Sequence, residues 1–194
     1  MAFEGLMKEL KLIEEHIKSC MLCNLGKLKI EESWKSVPGK GPFDSKIMLI
    51  GEAPGKEEAI KGYPFVGKAG FFLDNVLKDS LIDRKKIFIT NVIKCRPPGN
   101  RKPSEKEIDM CISWLAAQYE LISPELVILL GQVALEGFLG KKIKIGSIRG
   151  KMIKYSGIHV FSTFHPSYAL RNSIGNQIFR KDMKMIGLWI KKNL

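Results

Sequence analysis

Short apolar runs alternate with amphipathic stretches along most of the chain. Four runs are short and apolar enough to predict buried strands, and they lie at 46–50, 87–90, 125–130 and 159–163. Other stretches carry apolar side chains at helical spacing and predict helices over 3–18, 70–80, 104–122, from about 132 onward, and 175–192. Ser104 and Glu107, which follow Pro103, predict a capping box at the start of one of these helices.

Strands that alternate with helices favour an α/β fold. We expect a three-layer α/β/α sandwich around a short, mostly parallel four-stranded sheet. A single domain over residues 1–194 is predicted, because no repeat, low-complexity segment or linker interrupts the pattern. Ligands bind outside the carboxyl ends of the strands in such sheets. Loops rich in glycine, proline and polar residues follow three of the predicted strands, so we expect a site at that edge.

The charge of the chain indicates a polyanionic partner. Its 194 residues include 32 Lys and Arg against 20 Asp and Glu, for a net charge of +12. This excess attracts nucleic acid or an anionic membrane surface, although lysines that merely hydrate the surface would give the same count. After the second predicted strand, Lys94, Arg96, Arg101 and Lys102 are placed to meet phosphates.

No targeting signal or membrane-spanning segment is evident in the sequence. No stretch approaches the ~18 uninterrupted apolar residues that a membrane span needs. The first predicted helix mixes charged and apolar residues, unlike the apolar core of a signal peptide. We therefore expect a cytoplasmic protein with no membrane partner.

The four cysteines indicate a metal site. Cys20 and Cys23 form a CxxC pair, and Cys95 and Cys111 follow later in the chain. Disulfides are disfavoured in the cytoplasm, so this set predicts metal ligands in preference to disulfides. Four thiolates suit either Zn²⁺ or a [4Fe–4S] cluster, and the spacing does not separate the two. Buried thiols without a metal are the remaining alternative.

Phe65 and Asn91 are candidates for binding a planar ligand. Phe65 lies between Pro64 and Gly67 and is placed to offer its ring for stacking, which is worth ~1–3 kcal/mol per base. A core position for this ring is an equally good interpretation. Asn91 ends a predicted strand, and its amide can accept from a ring N–H while donating to a neighbouring carbonyl. That pattern matches the edge of uracil and not of cytosine, although Asn at a strand end also forms turns.

The segment after the last predicted strand combines a histidine with apolar and basic residues. A neutral His165 could donate a hydrogen bond to an oxygen that gains negative charge. Tyr168, Ala169 and Leu170 are predicted to lie in an exposed loop beside Arg171. Proteins insert such apolar wedges into a duplex to unstack it. The alternative is that these side chains fold back onto the domain.

Together, these motifs resemble the family 4 uracil-DNA glycosylases of thermophilic bacteria and archaea. The resemblance covers roughly residues 20 to 180 and is carried by the four cysteines, GEAPG at 51–55, GYPFVGKAG at 62–70, TNVIKCRPPGNRKP at 90–103 and HPSYALRN at 165–172. It implies a uracil-DNA glycosylase-like fold and a monomeric DNA-repair enzyme. Such an enzyme flips uracil out of single- or double-stranded DNA and hydrolyses its N-glycosidic bond. The implied cofactor is a [4Fe–4S] cluster on Cys20, Cys23, Cys95 and Cys111, with zinc as the minor alternative.

The resemblance also implies roles for the residues that bind the base. His165 would stabilise the departing uracil anion. Phe65 would stack on the flipped ring, and Asn91 would read its N3–H and O4 edge. Backbone amides around Glu52 and Ala53 would hold the base and its O2.

Further roles concern the attacking water, the choice of base and the DNA. Better-known glycosylases of this superfamily use an aspartate on the water where this chain has Ala53, so either another polar group orients the water or stabilisation of the leaving group carries more of the barrier. The resemblance makes Glu52 and Asn100 the candidates for such a group, because their counterparts in the family are implicated in catalysis. Glu58 would shape the wall that rejects the methyl group of thymine. The DNA contacts are expected from Tyr168, Ala169, Leu170, Arg171 and Arg101.

Two other classes of protein stay open at this point. One is a nucleic-acid-binding protein that keeps the basic surface and the cluster but has lost turnover. The other is a zinc-bearing nucleotide-binding module with different chemistry.

Overall fold

The computed structural model describes residues 2–194, and side chains from residue 4 onward. The strands are β1 (Ile47–Gly51), β2 (Ile87–Asn91), β3 (Leu126–Leu130), β4 (Met152–Tyr155) and β5 (Ile158–Thr163). The helices are α1 (Ala2–Ser19), α2 (Asn24–Glu31), α3 (Lys56–Lys61), α4 (Lys68–Asp79), α5 (Glu105–Ile122), α6 (Gln132–Leu139), α7 (Ile145–Ile148), α8 (Pro166–Arg171) and α9 (Ser173–Asn193).

The strands form one sheet in the order β2-β1-β3-β5-β4. The first four in this order are parallel, and β4 pairs antiparallel with β5 at the edge. The parallel strands match the four predicted runs to within one residue at each end. β1, β2 and β3 are buried along their whole length, which is why their sequences are continuously apolar. The predicted number of four strands is one too few, because β4 is only half-buried and carries the exposed Lys154.

Helices cover both faces of the sheet, so the predicted three-layer α/β/α sandwich is confirmed. On one face, Leu49 and Ile128 belong to a core that also includes side chains of α4 and α9. On the other face, Met48 and Val127 pack with side chains of α1, α2, α5 and α6. Alternate residues of each strand thus serve opposite cores.

The predicted helices are present as α1, α4, α5, α6 and α9. The capping box of α5 is confirmed: the Ser104 hydroxyl accepts from the N–H of Glu107, and the Glu107 carboxylate accepts from the N–H of Ser104. The segment after His165 was expected to be a loop and instead forms α8. Pro166 starts this helix, at the position where a proline is favoured because an N–H there would be unpaired. No helix within residues 2–194 combines the length and apolar character needed to cross a lipid bilayer.

Candidate active site

A cleft of about 450 Å³ opens where β1, β2 and β5 end. Residues 52–55 after β1 line it, together with Asn91 and Asn100 at and after the end of β2 and His165 after β5. Parallel strands place their carboxyl ends at one edge of a sheet, which brings these distant parts of the chain together. The expected position of the site is therefore the observed position of the cleft.

Phe65 lies beside this cleft in a loop that several hydrogen bonds hold in place. Its φ of 51° lies in the left-handed region, which is unusual for a residue with a side chain. Oε1 of Glu58 accepts from the N–H groups of Val66 and Gly67, both at 2.9 Å. Arg84 donates to the Phe65 carbonyl oxygen at 3.3 Å. These contacts fix the buried Phe65 ring as part of the cleft wall.

Gly51 allows Asn91 and Phe65 to meet at the strand ends. Gly51 and Asn91 are paired in the register of β1 and β2. A Cβ at Gly51 would overlap the side-chain oxygen of Asn91 and the ring of Phe65, so only glycine fits. Asn91 is 2% exposed, and its Oδ1 has no hydrogen-bond partner within the described part of the chain. Leaving such a buried acceptor unpaired costs ~1–3 kcal/mol, which a ligand N–H would relieve.

His165 has one ring nitrogen engaged and the other unpaired. Its Nδ1 accepts from the N–H of Ser167 at 3.2 Å and lies 2.8 Å from the Ser167 hydroxyl. A neutral imidazole whose Nδ1 accepts carries its proton on Nε2. This Nε2 is buried and has no partner among residues 4–194. Burial, assisted by the charge of Arg171, lowers the pKa of His165 to about 4, so the ring is neutral at pH 7.

Glu52 and Asn100 both line the cleft but differ in their surroundings. The Glu52 carboxylate makes no hydrogen bond or ion pair with the other described residues, and burial raises its pKa against the opposing charge of Lys102. Asn100 Oδ1 accepts from Arg96 Nε at 2.8 Å. The Arg96 guanidinium in turn lies 4.5 Å from the centre of the Trp34 ring. Glu52 is thus the more available polar group of the two.

The residues predicted to form the DNA wedge lie on helix α8, and not all of them are exposed. Tyr168 and Leu170 are 43% and 45% exposed, whereas Ala169 is 1% exposed and packs into the core beneath the helix. The expected exposure of Ala169 is wrong, because neighbouring residues of a helix face different directions. Tyr168 and Arg171 line the cleft, and Leu170 lies outside its lining.

The basic residues after β2 are less free than the sequence indicated. Arg101 lines the cleft, but its guanidinium makes two hydrogen bonds to the Glu107 carboxylate, at 2.9 and 2.7 Å. Lys94 is 1% exposed, so the prediction that it meets phosphates is wrong. Its Nζ donates to Thr90 Oγ1, to the Asn91 carbonyl oxygen and to Gln118 Oε1, each at 2.7 Å. Lys94 therefore braces the strand end that carries Asn91.

The four cysteines surround a second, small cavity. Cys20 follows α1, Cys23 precedes α2, Cys95 lies in the loop after β2, and Cys111 lies on α5. None of the four takes part in a disulfide. Gly26 permits the tight CxxC turn, since a Cβ there would lie 2.7 Å from the Cys20 carbonyl oxygen. The fold thus brings together all the predicted ligands.

The chemistry of this cavity suits a group held by thiolates. As they stand, no three His, Cys, Asp or Glu side chains in residues 4–194 are arranged to hold a single metal ion. Burial raises the pKa of Cys111 to about 11 and also raises that of Cys95. A positively charged centre would offset this and favour the thiolates. The N–H of Lys94 already donates to Cys111 Sγ at 3.4 Å, as hydrogen bonds to cluster ligands do.

Comparison with known proteins decides the family. The model of the uracil DNA glycosylase superfamily matches residues 38–186, which include all five strands. The chain belongs to this superfamily. The Type-4 uracil-DNA glycosylase of Thermotoga maritima is 40% identical over 187 residues, covering 94% of this chain and 95% of that protein. Those of Saccharolobus solfataricus and Sulfurisphaera tokodaii are each 39% identical, cover 93% of this chain, and are themselves covered over 86% and 84% of their length. The resemblance inferred from the motifs is confirmed.

In this member of the superfamily, the roles of two residues of the site were not identified from sequence. Ser167 orients His165 through its N–H group. A serine in the first turn of a helix that begins just after the histidine is the sequence pattern that could have predicted this contact. Lys94 is named from sequence but with the wrong role, because its burial depends on Gln118, which is distant in the sequence. No local pattern marks such a partner.

Proposed function

We propose that this protein removes uracil from DNA by hydrolysing the bond between N1 of the base and C1′ of the sugar, which leaves an abasic site. The observation that carries the proposal is a pair of buried, unpaired polar atoms, Asn91 Oδ1 and His165 Nε2. Both residues line one cleft beside Phe65. The names of the Type-4 relatives support the same function.

Base selection follows from the Asn91 amide and the Phe65 ring. The uracil nucleotide must leave the duplex, at a cost of a few kcal/mol in lost stacking and pairing. Phe65 stacks on the flipped base and recovers part of this cost. Asn91 Oδ1 accepts from the uracil N3–H, and its Nδ2 donates to O4. Cytosine has no N3–H, so it would leave the buried acceptor unpaired.

Bond cleavage depends on stabilising uracil as it departs as an anion. His165 donates its Nε2–H to O2 while the ring stays neutral, because Ser167 holds Nδ1 as an acceptor. A preorganised donor of this kind is worth about 10²–10³ in rate. The backbone amides around Glu52 and Ala53 add further donors to the base and its O2.

Glu52 is the residue we assign to orienting the attacking water, with Asn100 as the second candidate. Ala53 has no group for this task. The Glu52 carboxylate is free of partners among the described residues, whereas Asn100 Oδ1 is bound to Arg96. Glu58 acts through the loop that it holds: by fixing Phe65 it sets the wall against which a thymine methyl would clash.

The DNA is held open by α8. Leu170 and Tyr168 form the wedge, and Ala169 anchors the helix to the core beneath them. Arg171 and Arg101 contact phosphates. We infer that one domain over residues 1–194 acts as a cytoplasmic monomer on single- and double-stranded DNA.

The four cysteines fit a [4Fe–4S] cluster, with zinc as the minor alternative. Such a cluster supplies a structural cross-link, and no step of the hydrolysis passes through it. Cys20 and Cys23 would tie the junction of α1 and α2 to Cys95 after β2 and to Cys111 on α5. Iron and zinc content of the purified protein distinguish the two metals.

Uracil excision is the decisive test. Labelled oligonucleotides with one uracil, either single-stranded or opposite guanine, are incubated with the protein and then treated with alkali. Strand scission at uracil is expected in both, and none in a matched oligonucleotide with thymine. Failure of the folded, iron-loaded protein to cleave either substrate would overturn the proposal and leave a DNA-binding protein without turnover.

A further inference from the structure

A second groove, of about 480 Å³, lies beside the β2 edge of the sheet, and the chemistry proposed above does not use it. We call it the lysine groove and define it by Lys18, Lys29, Lys35, Lys40, Lys61 and Tyr63. Among its described lining residues, Glu14 is the one carboxylate, and Glu15 and Glu57 outside the lining pair with Lys18 and Lys61. Lys35 and Lys40 make no such pair with the described residues, so the groove carries a net positive charge and favours an anionic ligand.

Backbone contacts place the lysine groove next to the cleft. Lys40 exchanges two hydrogen bonds with Ile89 of β2, at 2.9 and 2.8 Å. The N–H of Lys35 donates to the Ala59 carbonyl oxygen in α3 at 2.7 Å. Helix α3 borders the cleft through one part of its length and the groove through Lys61 at its end. A helix of six residues is about 9 Å long, which two or three phosphates of one strand span.

The exposed lysines of the groove are available to a ligand. Lys35 and Lys40 form no ion pair with a carboxylate in residues 4–194. Lys61 lies 3.7 Å from Glu57, on the solvent-exposed surface. Exposed pairs of this kind are weak, so a phosphate can replace the carboxylate.

Lys29 adds a fixed charge beneath these side chains. It is buried, and its Nζ donates to the carbonyl oxygens of Lys18 and Cys20 and to the Ser36 hydroxyl. All three acceptors are neutral, and the Ser36 hydroxyl also lies 3.7 Å from Cys95 Sγ, so this ammonium group faces both the groove and the cysteine cavity. The charge that the groove offers to a ligand is therefore carried chiefly by Lys35, Lys40 and Lys61.

Tyr63 supplies an aromatic surface among the lysines. Its side chain is 50% exposed, and it lies two residues before Phe65 of the cleft. The Lys40 ammonium group lies 5.5 Å from the centre of the ring. Proteins that bind single strands combine a positive groove for the backbone with aromatic rings on which bases stack.

We propose that the lysine groove binds the single-stranded DNA segment that adjoins the uracil nucleotide. Lys35, Lys40 and Lys61 contact successive phosphates, and one unpaired base stacks on Tyr63. The inference rests on the proposed function, because the cleft defines where the strand enters. An intact duplex offers phosphates but no free base face, so the groove favours single-stranded over double-stranded DNA.

The test compares two triple variants that lose the same charge. The groove variant is Lys35→Gln, Lys40→Gln and Lys61→Gln. The control variant is Lys154→Gln, Lys191→Gln and Lys192→Gln, which changes exposed lysines on β4, at the opposite sheet edge, and at the end of α9.

Binding of labelled oligothymidylate is measured by fluorescence anisotropy over a series of salt concentrations. We expect the slope of log affinity against log salt to shrink by about 2 in the groove variant, since each lost phosphate contact on a single strand contributes about 0.7. The control variant should keep the wild-type slope. An equal change in both variants would overturn the proposal and indicate diffuse surface charge.

Tyr63 provides the second arm. Tyr63→Ala should weaken oligothymidylate binding about tenfold through lost stacking, whereas Tyr63→Phe should retain it. Duplex binding should be unchanged in both, and a result in which Tyr63→Ala binds single strands normally would contradict the base platform. Because oligothymidylate contains no uracil, these measurements stand even if wild-type protein fails to excise uracil. In that case the proposed function fails and the groove is still tested.

Discussion

The cleft and the cysteine cavity are both lined by the segment after β2, but they differ in whether their buried polar atoms have hydrogen-bond partners. In the cleft, Asn91 Oδ1 and His165 Nε2 are buried without partners in the described residues. At the cysteine cavity, Cys111 Sγ accepts from the N–H of Lys94, and Cys95 Sγ lies 3.7 Å from the Ser36 hydroxyl. Buried unpaired groups lower the stability of the folded protein and can be paired by a ligand, whereas paired groups stabilise the fold. The same segment thus begins with Asn91, a candidate for binding the base, and continues to Cys95, a candidate ligand of a structural cluster.

Lys94 lies between these two regions and connects them. Its side chain holds the carbonyl oxygen of Asn91, and its N–H donates to Cys111. Gln118 on α5 completes the link. Lys94 thus links the backbone position at the end of β2 to that of the cysteine cavity.

The largest expected effect is on catalysis and comes from the cleft. His165→Ala should lower the rate of uracil excision by about 10²–10³, because it removes the donor to the departing base. The unfolding temperature should fall by only a few degrees and the iron content should not change. Single-turnover excision, thermal unfolding and metal analysis check this. His16→Ala, which alters an exposed histidine outside the cleft, is the matched control and should keep the wild-type rate. A His165→Ala variant with normal excision would remove His165 from the mechanism.

The reverse pattern is expected at the cysteine cavity. Cys95→Ser should lower the iron content and reduce the free energy of unfolding by about 3 kcal/mol, which corresponds to roughly 6–12 °C in unfolding temperature. The protein that remains folded at low temperature should still excise uracil. Unchanged iron content would contradict the assignment of Cys95 as a ligand. Complete loss of excision in folded protein would contradict the expectation that the cleft keeps its geometry without this ligand.

A smaller effect tests the helix that supports both regions. Ser104→Ala removes the cap of α5 and should reduce the free energy of unfolding by about 1 kcal/mol. Excision rate and iron content should match wild type at temperatures well below unfolding, because Arg101 and Cys111 keep their other contacts. Denaturant unfolding checks the first value. A large loss of excision would show that the position of α5 matters to the cleft more than its contacts indicate.

The smallest expected effect is that of pH on a variant without the Glu52 carboxylate. Burial raises the pKa of Glu52, so wild-type excision should decline on acidification from a pH above the usual glutamate range. In Glu52→Gln the rate should be lower but nearly constant from pH 7 to pH 5 (a range chosen to lie above about 4, the pKa of His165). A decline centred near pH 6.5 would mean that His165 titrates like an exposed histidine.

The pH dependence of stability has a definite sign for His165. Burial lowers the pKa of its folded form to about 4, below the ordinary value of 6.5. Between these values the unfolded chain binds a proton that the folded protein does not. The contribution of the neutral ring to stability is therefore full above about pH 6.5 and is lost progressively as the pH falls toward 4.

Much of the fold could be predicted from sequence because its determinants are local or fully buried. The strands β1, β2 and β3 are buried along their whole length and so are mostly apolar, and the α5 capping box is complete within four residues. β4 was not predicted because an edge strand with one solvent-exposed face does not require a continuous apolar sequence. The loop expected at α8 became a helix because Pro166 is favoured in the first turn.

The sequence by itself determined which candidate residues the fold would have to bring together: the cysteine set, Phe65, Asn91, His165 and the charged segment after β2. Their types and order were enough to predict the family, which the comparisons confirmed. Tertiary structure alone decided their states. Lys94 is buried against Gln118, and Ala169 faces the core. Asn100 is hydrogen-bonded to Arg96, whereas the Glu52 carboxylate has no hydrogen-bond or ion-pair partner among the described residues. The reason is physical: burial and pairing depend on neighbours that meet only when distant segments pack, and the pKa of His165 follows from those neighbours.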